Sequence, residues 1–477
     1  MPRYNRTLPV FEQVEILDAG SEGNSVARVG DLVVFVPFTA PGDVVDIQVT
    51  RKKRSFCEGK AIRFHQYSVK RAEPFCEHFG TCGGCKWQHL RYEDQLYYKQ
   101  KQVEDNLARI GNIEHPAVLP ILRSAEETYY RNKLEFTFSN HRWLTKADSP
   151  GQFPENEMSA LGFHIPRLFD KILDIHHCYL QPDPSDAIRL FSGNYARKHG
   201  ISFYDVRKWT GFLRNLIIRN TTTGDLLVIL VVREEKDDVI NGMLNEMIAD
   251  FPQITSVFYV VNPKQNDIIN DLTLHHFYGK PFMTERMPAF KPGCRDIEFR
   301  IGPISFFQTN SRQAVRLYQA TVEFAMFSGG ETVYDLYTGT GTIANYIAPL
   351  VKKVAGIESN VAAIDDARVN AKLNGHNNIE FFAGETEKLL TPEFIIENGQ
   401  PEIVITDPPR SGMHEKVIRS LLAVSPEKIV YVSCNPATQA RDISLLTERY
   451  TLIKCQPVDM FPHTQHVENV ALLKRRD

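Results

Sequence analysis

A cysteine lies at the end of a predicted strand and is followed by polar residues and a proline. Cys434 comes directly after the apolar run Lys428–Ser433 and precedes Asn435 and Pro436. An isolated cysteine at a strand end is more often a small buried hydrophobic residue than a catalytic group. Pro436, however, is typical of the first turn of a helix, and the N-terminus of a helix stabilises a thiolate. The pattern therefore favours Cys434 as a nucleophile.

Two carboxylates also stand beside predicted strands. Asp407 follows the run Ile403–Thr406 and opens the rigid sequence Asp-Pro-Pro-Arg at 407–410. Ligands of open α/β sheets bind beyond the carboxyl ends of the strands, so Asp407 is a candidate ligand contact; the alternative is an ordinary turn. Glu468 stands at the start of the last apolar run. There it is a candidate general base if the run begins near the same cleft, and otherwise an exposed charge at a sheet edge.

A glycine-rich turn follows another predicted strand and precedes a predicted helix. The turn contains Gly339 and Gly341, and glycines let the backbone approach a ligand closely. Their spacing also fits a dinucleotide-binding turn. Asp335, which precedes the glycines within the strand, favours S-adenosylmethionine because a carboxylate there can face the ammonium group of that ligand. Glu358 ends the next strand, where an acid can accept hydrogen bonds from the ribose hydroxyls of either cofactor.

These residues require a sheet whose strand ends meet at one edge. From residue 295, strand-like runs alternate with helix-like segments such as 361–374, which is typical of a doubly wound α/β sheet. The candidate acids and the cysteine would then share one cleft. The predicted strands of this sheet are 332–336, 353–357, 379–382, 403–406, 428–433, 450–457 and 467–473.

The sequence before residue 293 predicts two further units. In residues 8–66, short apolar runs separated by glycines predict a compact β-barrel, and residues 67–90 are rich in cysteine. A helix is predicted over 92–110. Strand-like segments then dominate up to about residue 292, which indicates an α+β domain. We therefore divide the chain into an N-terminal barrel at 1–66, a central α+β domain at 67–292 and a C-terminal α/β domain at 293–477.

Composition limits the possible classes of protein. The chain has 477 residues, of which 43% are hydrophobic and 24% charged, as in an ordinary globular protein. The longest apolar run, Leu226–Val232, is too short for a membrane span, and the first ten residues lack the apolar segment of a secretory signal. We therefore expect a cytoplasmic protein that does not bind membranes. The net charge is -3, but the stretch 51–71 holds eight basic residues against Glu58 alone, which indicates a polyanionic partner or a solvated turn.

The chain contains eight cysteines, which need an explanation in a protein that is expected to be cytoplasmic. They occupy positions 57, 76, 82, 85, 178, 294, 434 and 455. Metal binding or catalysis is a better explanation than a disulfide framework in that environment. Three closely spaced cysteines with one further cysteine fit a zinc site about as well as a [4Fe–4S] cluster.

The candidate nucleophile and base suit the methylation of a pyrimidine carbon. Uracil C5 is a poor nucleophile towards a sulfonium methyl group. A thiolate that adds to C6 makes C5 enolate-like, so that C5 can attack, after which a base removes the C5 proton and the thiolate leaves. An amine acceptor already has a lone pair and would need no such nucleophile.

Together these motifs resemble the RNA 5-methyluridine methyltransferases, and more closely the branch that modifies 23S rRNA and carries an iron–sulfur cluster. The resemblance implies that Cys434 is the nucleophile and Glu468 the base. It also implies that Phe306 stacks on a flipped uracil, and that S-adenosylmethionine is contacted by Gln308, Tyr337, Glu358 and Asp407. The matching stretches are 305–310, 335–337 with Gly339 and Gly341, Glu358, 407–410, 433–436 and 466–469.

The resemblance extends to the N-terminal half. Residues 8–66 resemble a TRAM domain, an RNA-binding β-barrel, which would give the basic stretch a role in phosphate contact. The cluster ligands implied are Cys76, Cys82, Cys85 and Cys178, and Cys57, Cys294 and Cys455 are interpreted as structural thiols. The cysteine spacing is not that of radical enzymes, and nothing in the sequence suggests electron transfer. The cluster would therefore be structural or help to shape the RNA-binding surface.

Three alternatives remain open from the sequence. The same chemistry could act on a uridine in the T-loop of tRNA. The Asp-Pro-Pro loop also occurs in enzymes that methylate base amines, for which Cys434 would be dispensable. A metal-stabilised RNA-binding protein with an inert α/β domain is the third. For an enzyme that must wrap a folded RNA we expect a monomer.

Overall fold

The computed structural model describes residues 8–20, 22–113, 117–145 and 158–476. Residue 1, where the predicted barrel domain begins, and residue 477, where the last domain ends, lie outside the described residues. No helix in the described part of the chain is both long and apolar enough to cross a membrane.

The N-terminal part is a closed five-stranded barrel, as the glycine-punctuated sequence predicts. Its strands follow one another in the order β1-β2-β3-β5-β4. Alternate side chains, among them Ile16, Val34 and Ile47, are fully buried and fill the interior, because successive residues of a strand point to opposite faces. The strands are β1 (Val10–Ala19), β2 (Ser25–Val29), β3 (Leu32–Val36), β4 (Val44–Lys52) and β5 (Phe56–Gln66).

The central part is a seven-stranded sheet in the order β12-β11-β10-β9-β6-β7-β8. Its inner strand β10 is buried at every position, which explains the uninterrupted apolar run at 226–232. Two helices, α2 and α3, pack beside each other and contribute Ile188 and Met243 to the core under this sheet. The elements are α1 (Tyr92–Arg109), β6 (Lys133–Ser139), β7 (Ala160–Ile165), β8 (Leu168–Asp174), α2 (Ser185–Lys198), β9 (Leu213–Asn220), β10 (Leu226–Val232), α3 (Asp237–Asp250), β11 (Ser256–Val261) and β12 (Leu274–Gly279).

The C-terminal part is the predicted doubly wound α/β sheet, in the order β17-β16-β15-β18-β19-β21-β20. The first five strands are parallel, and β21 runs antiparallel to both β19 and β20. A separate hairpin, β13–β14, precedes the sheet. The elements are β13 (Met283–Met287), β14 (Ile297–Ile301), α4 (Ser311–Ala325), β15 (Thr332–Leu336), α5 (Thr342–Ile347), β16 (Lys353–Glu358), α6 (Val361–Leu373), β17 (Ile379–Ala383), α7 (Thr386–Leu389), α8 (Pro392–Asn398), β18 (Ile403–Thr406), α9 (Glu415–Val424), β19 (Lys428–Ser433), α10 (Pro436–Leu446), β20 (Tyr450–Val458) and β21 (Glu468–Arg475).

Packing crosses the boundary that the sequence suggests at residue 293. Helix α1 packs against α10, and its side chains Val103 and Leu107 belong to the same hydrophobic core as Tyr431 of the C-terminal sheet. The segment after α1 runs along β20, with the Leu119 N–H donating to the Cys455 carbonyl at 2.9 Å. Residues 92–113 and 117–122 therefore pack with the C-terminal sheet, although they precede the central one in sequence.

Candidate active site

The strand order brings the predicted site residues to one edge of the C-terminal sheet. The carboxyl ends of β15 and β18 are aligned, with Leu336 paired to Thr406, so Tyr337 and Asp407 leave the sheet side by side. Strand β19 ends beside the start of β21, with Ser433 paired to Asn469. This antiparallel register places Cys434 next to Glu468. The chain order reverses between β15 and β18, which is where open α/β sheets bind their ligands.

Cys434 and Glu468 lie close enough to interact electrostatically, and burial affects the ionisation of both. Burial, followed by the nearby Glu468 and Asp407 carboxylates, raises the pKa of the Cys434 thiol to about 11. Glu468 is only 5% exposed, and burial followed by the charge of Asp407 raises its pKa to about 8. Arg410 lowers both pKa values. A carboxyl group with a pKa near neutrality is well suited to proton transfer at physiological pH.

Hydrogen bonds fix the two strand ends that carry this pair. The Gln439 amide donates to the Tyr431 carbonyl at 2.8 Å and to the Asn469 carbonyl at 3.1 Å, so it bridges β19 and β21. The Asn435 side chain accepts from the Ala437 N–H at 3.1 Å and caps α10. With proline at position 436 in the first helical turn, Cys434 therefore lies directly before a capped helix, as the sequence predicts.

The glycine turn after β15 adopts backbone conformations that few residues tolerate. Tyr337 has φ 62°, and Gly339 and Gly341 have φ 56° and 75°. A non-glycine residue in this region is uncommon and is often found at functional sites. A Cβ atom at Gly339 would meet open space, whereas one at Gly341 would come within 2.9 Å of the Ala367 side chain. The absence of a side chain at Gly341 therefore allows α6 to pack closely against the turn. The backbone at Gly339, in contrast, borders open space.

Two acidic side chains, Asp335 and Glu358, accept hydrogen bonds from residues of this turn and of the helix that follows it. Asp335 is fully buried, and its Oδ2 accepts hydrogen bonds from the Thr338 hydroxyl and from the Ala344 N–H. Its Oδ1 has no hydrogen-bond partner among the described residues. Glu358 accepts from the Gly339 N–H at 3.2 Å. Both acids therefore touch the backbone that would cradle a ligand.

The cleft brings several carboxyl groups together. Burial raises the pKa of Asp335 to about 7. Burial, and then the charge of Asp335, raises the pKa of Asp407 to about 7 as well. Because acids this close to one another disfavour their own ionisation, a cationic ligand placed among them would be stabilised. The sulfonium and ammonium groups of S-adenosylmethionine have that charge.

The stretch 305–310 divides its side chains between core and solvent. Phe306 is 69% exposed, whereas Phe307 is buried against Phe299 with ring centroids 5.7 Å apart. Asn310 caps α4 by accepting from the Gln313 N–H at 3.1 Å. The carbonyl of Gln308 accepts from the Asn132 amide at 2.9 Å, which ties this stretch to the start of β6.

The sequence gives no indication of a buried ion pair that fixes the loop before β21. Lys99 on α1 donates to Asp459 at 2.5 Å, and both side chains are fully buried. Tyr92 also donates to Asp459, at 2.8 Å. Farther along the loop, the carbonyls of Pro462 and His463 accept hydrogen bonds from the central part and from the cysteine-rich segment. The 459–466 loop therefore joins the N-terminal half to the strand that begins with Glu468.

The four cysteines of the predicted cluster site line one cavity. It has a volume of about 120 Å³ and is bordered by Arg131 and His177. Burial and, to a smaller extent, the charges of neighbouring cysteines raise the pKa of Cys82 to about 11 and those of Cys85 and Cys178 to about 12. A cation or cluster is the usual partner of several converging thiols, because it stabilises their thiolates. The donor set, namely Cys76, Cys82, Cys85 and Cys178, fits a tetra-thiolate group.

The fold and the strand-end cleft define an S-adenosylmethionine-dependent methyltransferase. Residues 277–476 match the family model described as tRNA (uracil-5-)-methyltransferase, and residues 12–62 match the TRAM domain. The chain belongs to this family of RNA uracil-5 methyltransferases.

Relatives in bacteria and one solved structure agree with this assignment. A Bacteroides thetaiotaomicron protein named as an uncharacterized RNA methyltransferase is 53% identical over 96% of this chain and 100% of its own length. A Porphyromonas gingivalis protein of the same name is 50% identical over 97% of this chain and 99% of its own. The structure of Pyrococcus abyssi tRNA (uracil-54, C5)-methyltransferase in complex with S-adenosyl-L-homocysteine is similar with a TM-score of 0.72. It is 29% identical, over 97% of this chain and 100% of that chain.

Proposed function

We propose that this protein methylates C5 of a uridine in 23S rRNA through a covalent intermediate on Cys434. The observation that carries the chemistry is the register of β19 and β21, which places the thiol beside a buried carboxyl group. The barrel combined with the four-cysteine cavity favours 23S rRNA as the substrate, in keeping with the branch that the sequence resembles. The similarity to a tRNA (uracil-54, C5)-methyltransferase supports tRNA as the second candidate substrate.

Each residue of the cleft has its own role in the proposed reaction. The Cys434 thiolate adds to uracil C6, and C5 takes the methyl group from S-adenosylmethionine, with S-adenosylhomocysteine leaving. Glu468 then accepts the C5 proton, the C5–C6 double bond re-forms and the bond between sulfur and C6 breaks. Phe306 stacks on the flipped base. The methyl donor is held by Gln308, Asp335, Tyr337, Gly339, Gly341, Glu358 and Asp407.

Analysis of nucleosides from a strain that lacks the gene tests the substrate. The 23S rRNA and the tRNA are separated before digestion, and 5-methyluridine is quantified by mass spectrometry. We expect 5-methyluridine to fall in 23S rRNA and to return on complementation with the wild-type gene but not with Cys434→Ala. Loss from tRNA alone would move the same chemistry to the T-loop. Unchanged 5-methyluridine in both RNAs would contradict the proposal.

We also propose that the four-cysteine cavity holds a [4Fe–4S] cluster with a structural role. Protein purified without oxygen should then absorb broadly at about 400 nm. Cys85→Ser should lose this absorbance because Cys85 lines the cavity. Cys294→Ser should retain it, since Cys294 is exposed and lies outside the cavity. A colourless protein that contains stoichiometric zinc would contradict this proposal and assign a zinc site to the cavity instead.

A further inference from the structure

One end of the central sheet carries an exposed hairpin tip that is both aromatic and basic. The tip comprises the turn between β7 and β8 at 166–167 and the first two residues of β8, 168 and 169. Arg167 has φ 69° and a side chain that is 80% exposed, and Phe169 is 66% exposed. An arginine in the left-handed region is uncommon and costs free energy, and such strain is often found where a turn serves a function. The turn therefore presents Arg167 and Phe169 to solvent at a conformational cost.

A second turn, at residues 206–209, lies next to this hairpin. The Asp205 carboxylate accepts from the N–H groups of Arg207 and Lys208, at 2.9 and 3.0 Å, and so orders the turn. At its end, Trp209 has φ 54° and is 47% exposed. The Arg207 guanidinium donates to Asp170 at 2.6 Å, which attaches the turn to β8. We call residues 166–169 and 206–209 together the hairpin surface.

The hairpin surface continues the basic edge of the barrel. Arg167 forms an ion pair with Glu58 of β5 at 3.2 Å, and Glu58 also pairs with Arg51 at 3.3 Å. The basic block 51–54 therefore lies beside the hairpin tip. Within the hairpin surface the charged residues are all basic, namely Arg167, Arg207 and Lys208.

The hairpin tip also lies at the end of the central sheet that contacts the active site. Strand β7 is antiparallel to β6, with Thr137 paired to Gly162, so the tip after β7 is at the same end as the start of β6. The residue before β6, Asn132, bonds the carbonyl of Gln308, two residues after the exposed Phe306. The hairpin tip is therefore on the side of the sheet that faces the 305–310 stretch, whereas the 206–209 turn lies near the carboxyl end of β6, where the Asn140 amide donates to Asp205 at 3.1 Å.

We infer that the hairpin surface binds unpaired nucleotides of the substrate RNA beside the basic edge of the barrel, an inference that rests on the proposed function. Exposed aromatic rings interleaved with cations are typical of surfaces that bind single-stranded RNA, where bases stack on the rings and cations contact phosphates. Aromatic residues and arginine are also enriched in protein interfaces, and the continuity of this surface with the basic block 51–54 is what favours RNA. Phe169 and Trp209 stack on bases, and Arg167 and Lys208 contact phosphates.

Affinity for a fluorescein-labelled single-stranded RNA of mixed sequence, measured by fluorescence anisotropy without methyl donor, tests this inference. The variant Phe169→Ala/Trp209→Ala should raise Kd about tenfold or more, as expected for the loss of base stacking. Lys208→Ala should reduce the dependence of log Kd on log salt by about 0.7. Ile396→Ala is the matched control, because Ile396 is an 83% exposed side chain on α8, and its Kd should not change.

Kinetics and ligand binding separate this role from a general loss of structure. In Phe169→Ala/Trp209→Ala, KM for RNA should rise with Kd, while kcat and the affinity for S-adenosylhomocysteine stay as in the wild type. Unchanged Kd and KM would overturn the inference, as would a wild type with no measurable affinity for this RNA. Binding of a ribosomal protein that is lost in the variant, with RNA affinity intact, would assign the surface to that protein instead. A wild type that binds RNA through this surface but transfers no methyl group would overturn only the proposed function.

Discussion

Cys434→Ala is expected to reduce methyl transfer to RNA by about ten-thousandfold or more, to the background of the assay. Loss of a covalent nucleophile has effects of this size because every later step depends on the bond it forms. Without the thiolate at C6, uracil C5 keeps the weak nucleophilicity that prevents uncatalysed methylation. The measurement is incorporation of labelled methyl groups from S-adenosylmethionine into RNA that lacks the modification.

The controls for this variant separate chemistry from folding. Cys434 lies at the end of β19, outside the glycine turn, so the affinity of Cys434→Ala for S-adenosylhomocysteine should equal that of the wild type. Cys294→Ala, which removes an exposed thiol, should keep full activity. Methyl transfer that survives in Cys434→Ala would favour an amine acceptor, and a wild type without any transfer would favour an RNA-binding protein with an inert α/β domain.

The sequence predicts the C-terminal sheet well because of how parallel sheets are covered. Helices pack on both faces of such a sheet, so its strands read as continuous apolar runs, as in Ile403–Thr406 and Lys428–Ser433. Strands β7, β8 and β12 lack this signal, since each of them includes residues that are exposed to solvent, and the sequence does not identify them. The hairpin surface therefore becomes visible only in the structure.

The contacts around the candidate base depend on pairs that are far apart in sequence. Lys99 and Asp459 are separated by 360 residues, and each would be an ordinary surface charge by its local pattern. An apolar helix face does not specify which element it packs against, so the sequence cannot predict the packing of α1 on α10 either. The proximity of Cys434 and Glu468 could be predicted only on the condition that the last strand starts at the cleft. The antiparallel direction of β21 meets that condition.

Glu468→Gln should trap a covalent complex between Cys434 and RNA. Glutamine has the shape of glutamate but cannot accept the C5 proton, so the enzyme should stop after methyl transfer with sulfur still bound to C6. Formation of that bond should persist, because the Glu468 charge raises the pKa of the Cys434 thiol and its removal favours the thiolate. The complex should be visible as a slowly migrating band on a denaturing gel, with turnover reduced at least about a hundredfold.

A labelled methyl group in that band would place the block after methyl transfer, which is the step at which a base is needed. The double variant Cys434→Ala/Glu468→Gln should give no band, because it lacks the sulfur that forms the bond. An unlabelled band would mean that Glu468 acts before methyl transfer. Normal turnover in Glu468→Gln would instead transfer the role of base to Asp407, whose pKa is raised to about 7 and whose carboxyl group interacts with Glu468 in the same cleft. The gel therefore tests directly whether Glu468 is the acid that removes the proton.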